Sequence, residues 1–197
     1  MNTIKFQTVS NYIYKNTTQK NFPVDTADKL KDGRMSLRDN TEFVRAEVPK
    51  TVAGETNLLT PNGLKLAGVQ TFKGQSLDKS KNQVITHVRV AYGSDAAAGK
   101  EAAVIYQNDD SSVPAGLKAA NLIVKQSGKT IIEIPVSDFI APSNDGDSAY
   151  KELSAFALLK EDQPFDILIE FPIGTDLGGT DKHYVEVALK GMATFER

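Results

Sequence analysis

Apolar and polar positions alternate most regularly in the later two-thirds of the chain. Over residues 84–92, Val84, Thr86, Val88, Val90 and Tyr92 share one face, while His87 and Arg89 take the other. Period-two alternation of this kind predicts a half-buried strand. Over 165–171, Phe165, Ile167, Ile169 and Phe171 alternate with Asp166, Leu168 and Glu170. Over 183–190, Val185, Val187 and Leu189 alternate with Tyr184, Glu186 and Lys190, and this strand is expected to run on toward Phe195. The glycine-rich run PIGTDLGGTD joins the two. Between 122 and 134, two β-rich runs flank Ser127-Gly128, a two-residue connection that predicts a tight hairpin. Pro135 ends its second strand, because proline has no N–H to give to a ladder. A further short strand is expected over 102–107.

Residues 148–160 carry a different period. Tyr150, Leu153, Phe156 and Ala157 fall at i, i+3, i+6 and i+7, a single apolar stripe that predicts a helix. Asp147 or Ser148 would cap it, after turn chemistry over 143–147 (SNDGD), and Pro164 stands just past its end. The first sixty residues are polar and weakly periodic. Short apolar pieces over 4–9, 12–14 and 43–48 are expected as strands, and 25–31 as a turn or two of helix stopped at Gly33. Too few large apolar residues occur there to build a separate core. Residues 1–57 are therefore expected to be an N-terminal arm or extension, docked on its own domain or on a neighbouring subunit. The turn signal Pro61-Asn62-Gly63 marks the change to the folded domain, 58–197. The strands are not separated by regular helices, which argues against a parallel βαβ fold. The expected class is all-β: an antiparallel β-sandwich or jelly roll of about eight strands, with one helix and an extended N-terminal arm.

Composition narrows the chemistry. The chain has no cysteine, which removes disulfides, thiolate nucleophiles and cysteine-ligated metals. The formal net charge is −2, and residues 1–47 hold eight Lys or Arg against six Asp or Glu, about +2. That is interspersed charge, not a polycationic tail, so no strong binding to nucleic acid is expected. The opening residues lack the apolar run of a secretory leader, and no stretch reaches the ~18 apolar residues of a membrane-spanning helix. A soluble protein without a cleavable leader is the expectation.

Candidate sites are few. There are two histidines, His87 and His183, each expected on the polar face of a strand, without the spacing of a metal site and without a GxSxG-type nucleophile elbow. Asp109-Asp110 and the run Asn144, Asp145, Gly146, Asp147 are oxygen-rich, and the second faintly resembles part of a calcium loop but lacks its downstream glutamate. Asp176 and Asp181, in the glycine-rich loop, invite the same thought; turns and caps are the plainer account of all of them. The run GTDLGG over 174–179 is followed by a strand, where a phosphate-binding loop needs Lys-Ser/Thr and a helix. Tyr12, Tyr14 and Phe22 are apolar anchors in the polar arm. Asn16-Thr17-Thr18 is a glycosylation sequon, meaningful only in a secreted eukaryotic protein. No catalytic residue, cofactor site or metal site is assigned, and the chain is not expected to be an enzyme.

The polar arm, the hairpin segment LIVKQSGKTIIEIPVSDFI over 122–140 and the closing pair FDILIEFP and HYVEVALKG together resemble the jelly-roll capsid proteins of small tailless icosahedral bacteriophages. The resemblance is architectural and spans roughly 58–195. It implies a virion structural protein: a capsid subunit, major or vertex, that self-assembles through symmetric contacts into an icosahedral shell. Its partners would be copies of itself and other virion proteins. The missing basic arm departs from that pattern and puts direct genome binding in doubt, leaving an internal membrane or another protein to take that place. The alternative expectation is a β-sandwich binding module of adhesin or carbohydrate-binding type, with calcium near Asp145 or Asp176.

Overall fold

A computed structural model describes residues 3–18, 24–61, 63–141 and 150–197. The expected turn over 143–147, its Asp145, the helix cap at Asp147 or Ser148, and Phe22 lie outside the described residues.

Among the described residues, eight strands form two four-stranded antiparallel sheets. One contains β1 (Met35–Val48), β3 (Gln83–Asp95), β6 (Lys151–Leu159) and β8 (Lys182–Glu196), in the order β1-β8-β3-β6. The other contains β2 (Thr51–Asn57), β4 (Asn121–Gln126), β5 (Lys129–Pro135) and β7 (Phe165–Asp176), in the order β2-β7-β4-β5. The all-β sandwich expected from the alternating pattern is the fold. Strand 1 lies beside 8, 2 beside 7, 3 beside 6 and 4 beside 5. The chain is a folded-back ribbon laid across two layers, closed by the β4–β5 hairpin. The turn of that hairpin has Ser127 at φ 49° and Gly128 at φ 76°. Two successive positive φ values match the right-handed twist of the flanking strands.

The inner faces of both sheets form the main core. Ile85, Val88 and Val90 of β3 and Val185, Val187 and Leu189 of β8 meet Leu122 and Val124 of β4 and Phe165, Ile167 and Ile169 of β7. Burying each such side chain contributes roughly 1.5–3 kcal/mol, so this cluster dominates stability. One feature breaks the simple alternation. β3 carries a bulge between Ile85 and His87 against β8, so Val84 and Val88 face opposite sides. Val84 packs with Met192 on the outer face. The bulge brings β3 so close to β8 that a Cβ on Gly191 would strike the Val84 carbonyl.

Four expectations are corrected. Residues 151–159 are strand β6, not a helix. Leu153, Ala157 and Leu159 face the main core, while Phe156 and Leu158 face the opposite side, beneath a helix. With both faces covered, the two-residue period is masked, and tertiary pairing overrides the helix-forming Ala, Leu, Glu and Lys. The apolar pieces over 4–9 and 12–14 belong to one helix, α1 (Thr3–Thr18), not to strands. Residues 102–107 make turns ending in one bridge, Tyr92 to Gln107, and not a strand. The one long helix expected, over 148–160, gives way to helices elsewhere among the described residues: α1, α2 (Val24–Lys31) and the short α3 (Ala115–Lys118).

The helix expected over 25–31 is α2, with Gly33 at φ 71° just beyond it. Val9 and Ile13 of α1 are buried on the outer face of the β1-β8-β3-β6 sheet, against Val84, Met192, Leu37, Phe156 and Leu158. Residues 35–57 of the expected extension are β1 and β2, each on the edge of one sheet. Of the described residues of that extension, α1 and α2 lie outside the ribbon, and they dock on this chain's own sheet.

Candidate functional site

Three polar constellations lie on the β1-β8-β3-β6 sheet, one on its outer face and two on its inner face, and each sits on a strand whose alternation puts a polar residue where an apolar one would be ordinary. The first is on the outer face of β1, β8 and β3. Glu186 is directly opposite Arg45 in the ladder. Its two carboxylate oxygens accept from Arg45 Nε and Arg89 Nη1, both at 2.7 Å. The Arg45 guanidinium lies 4.7 Å from the centre of the Tyr106 ring and donates to the Gly68 carbonyl, while Arg89 donates to the Tyr106 carbonyl. These bonds strap the 63–70 and 97–107 loops onto the sheet. Burial pushes the Tyr106 phenol above the usual range, so it stays neutral and hydrogen-bonds the Glu101 carbonyl at 2.8 Å.

The second lies on the inner face of β1. Glu42 is wholly buried and pairs in register with Leu189 of β8. Lys81 forms an ion pair with it, Thr71 donates a short hydrogen bond to it, and Asn40 donates at 2.8 Å. Burial alone would raise this carboxyl, but the bonds from Lys81 and Thr71, the Lys81 charge and the Asn40 bond outweigh it and hold it below the usual carboxylate range. Every oxygen is engaged, so the cluster is an ionic plug and has no capacity left for chemistry.

The third is at the other end of the same inner face. His183, the second residue of β8, is in register with Val48 and Ser94, which places its ring between the sheets and not on a polar surface as expected. It is 3% exposed. Tyr92 Oη and His183 Nδ1 are 2.7 Å apart, with the rings stacked at 6.0 Å. The other nitrogen, Nε2, is buried without a hydrogen-bond partner. Burial lowers the affinity of this imidazole for a proton, and the Lys50 charge adds to that. Gly178's main chain and the charges of Asp176 and Asp181 oppose the shift without cancelling it. The ring is therefore neutral near pH 7.

Around this pair the β7–β8 loop and the segment before α3 leave a pocket of about 350 Å³, lined in part by Ser94, Ser112, Gly178, Asp181 and His183. A second pocket of about 480 Å³, lined in part by Asp95, Gln107 and Ile105, shares Tyr92, Ser94 and Ser112 with it. Gly93 lets the 100–107 loop lie flat on β3 here, because a Cβ at that position would meet the Ile105 carbonyl at 2.8 Å.

The remaining sequence candidates have ordinary roles. Asp109 accepts from the Ser111 and Ser112 main chain and from the Ser111 hydroxyl; these bonds hold its carboxyl down to about 2. Asp110 pairs with Lys118 at 2.7 Å. Asp176 caps its own turn by accepting from Gly178 N at 2.8 Å. Asp181 lines the end pocket. His87 sits half-buried beside the bulge, its Nδ1 2.8 Å from Thr86 Oγ1. Tyr12 packs on Phe156 and Tyr14 is exposed. The sequon asparagine lies on α1, where Asn16 Nδ2 donates to the Tyr12 carbonyl.

Among the described residues, no three His, Asp or Glu side chains are grouped to hold a metal ion, and no helix is long and apolar enough to cross a membrane. The end pocket escaped sequence reasoning because its polar groups come from β3, the 109–114 segment and the β7–β8 loop, far apart in the chain. No protein-family model matches the chain, and no curated protein matches it either.

Proposed function

We propose that this chain is a virion structural protein, a jelly-roll subunit of the major capsid or vertex kind that associates with copies of itself into a closed icosahedral shell. The observation that carries the reading is the strand order. Pairing 1 with 8, 2 with 7, 3 with 6 and 4 with 5 across two sheets is the order obtained by winding one long hairpin into a jelly roll. The chemistry of the interior agrees with a structural role. A hydrolytic base needs an orienting acid on its second nitrogen, and His183 has none there. Partners on this reading are other copies of the chain and further virion proteins. With a net charge of −2, binding to nucleic acid is not expected to drive assembly.

The test is association state. Light scattering and electron microscopy of the purified protein across a concentration series should show symmetric oligomers or shell-like particles, because closed assemblies form from repeated identical contacts. A strictly monomeric species at every concentration overturns the proposal.

A second reading, a β-sandwich binding module, draws on the paired pockets at the His183 end. It expects a monomer with a ligand at those loops. A calcium-dependent rise in melting temperature, through Asp176 or Asp145, would favour it over the capsid reading.

A further inference from the structure

The two pockets at the His183 end adjoin and are treated as one cleft, since Tyr92, Ser94 and Ser112 line both. Each volume, about 350 and 480 Å³, falls within the ~300–1,000 Å³ usual for small-ligand sites. We propose that this cleft binds a neutral, hydroxyl-rich ligand, one or two sugar rings. The inference rests on the binding-module reading and names its ligand class.

The lining decides the class. Ser94, Ser111 and Ser112 offer hydroxyls, Gln107 an amide, and Asp95 and Asp181 carboxylates. Such groups match the mixed donors and acceptors of a polyol. No Lys or Arg lines either pocket. The neighbouring Lys50 ammonium is already held on the Gly179 carbonyl at 2.7 Å. A phosphate or carboxylate would meet two acids and no cation. Leu177 and Pro114 on one side, and Val104 and Ile105 on the other, supply apolar wall for the C–H faces of a ring. Ile105 is 80% exposed at this rim, an arrangement that costs a free protein hydration and is repaid when a ligand covers it.

His183 Nε2 is the second, independent sign. A buried polar atom without a partner is uncommon in a folded protein. It lies against the Gly178 main chain. Gly178 and Gly179 sit at φ 82° and 62°, and their main chain is held by Asp176 on the Gly178 N–H and by Lys50 on the Gly179 carbonyl. Ser94, Ser112 and His183 line the same pocket, so a ligand seated on the two serines lies against the imidazole.

The test is saturation-transfer difference NMR, which reads subunits and particles alike. The probes are glucose, galactose, mannose, N-acetylglucosamine and maltose, with choline as the cationic control and inorganic phosphate as the anionic one. The expected result is saturable transfer to at least one sugar, with Ser112→Tyr weakening it at least tenfold at an unchanged melting temperature. Asp181→Asn serves the same purpose if Ser112→Tyr does not fold. Saturable transfer to choline, or a phosphate-induced melting shift, with no response to any sugar overturns the ligand class while keeping the binding reading. Silence from every probe overturns the proposal and removes the observation that favours a binding module. Sugar transfer that neither variant weakens places the ligand elsewhere and overturns it too.

Discussion

Two polar plugs stand on one inner face of this sandwich, six residues apart along β8, and they are finished differently. Glu42, level with Leu189, has a counter-ion, Lys81, and two further donors, Asn40 and Thr71, on its oxygens. His183 has one partner, Tyr92, and a second nitrogen with none. Both interrupt an apolar face. The Glu42 end meets the cost of burying a charge by complete pairing. The His183 end avoids the charge by staying neutral, and leaves one group unmet beside an open cleft. A fully satisfied cluster specifies structure; an unsatisfied one next to a cavity is where binding is to be sought.

The comparison breaks hardest at the satisfied end. Glu42→Ala strands the half-buried Lys81 ammonium and the Thr71 hydroxyl, and should cost about 3–5 kcal/mol in urea unfolding. Replacing both charges together, Glu42→Leu with Lys81→Met, should be more stable than the single variant, because no uncompensated ion remains. If the double variant is the weaker, the plug is not held by its ion pair.

At the other end, Tyr92→Phe removes the 2.7 Å hydrogen bond at His183 Nδ1 and should cost about 1–3 kcal/mol, less than Glu42→Ala. An equal or larger loss would mean that the two ends are not built as differently as their bonds indicate.

The smallest effect is in pH, and its sign separates the ends. The folded His183 imidazole has a value below its ordinary 6.5, so the unfolded chain takes up that proton first. Stability should fall as pH drops below about 6.5, until the folded ring also protonates, with a slope of at most ~1.4 kcal/mol per pH unit for one proton. Glu42 is depressed below 4.5. Its contribution is complete above that value and is lost as pH falls through the folded value. The urea midpoint of the His183→Gln variant between pH 8 and 3 should lack the first fall and keep the second.

Half-buried strands were legible in the chain itself. Strands β4, β5, β7 and β8 show alternation or a β-rich run flanked by turn chemistry, and the Ser127-Gly128 turn is a local signal with a local cause. The strand β6 was hidden because α1 covers its outer face and erases the period. Most of β1 was hidden because its polar residues are neutralised by loops distant in sequence: Arg45 by Glu186 and Gly68, Glu42 by Lys81 and Thr71.

What the amino-acid order determined alone is therefore the all-β class, the tight hairpin and the lack of any thiol chemistry, since period-two burial, turn dihedrals and residue inventory are properties of neighbours in the chain. What only the tertiary structure decided is the strand order, the face on which His183 stands and the cleft beside it. Those depend on which distant segments meet, and the β3 bulge alone changes which side chains share a face.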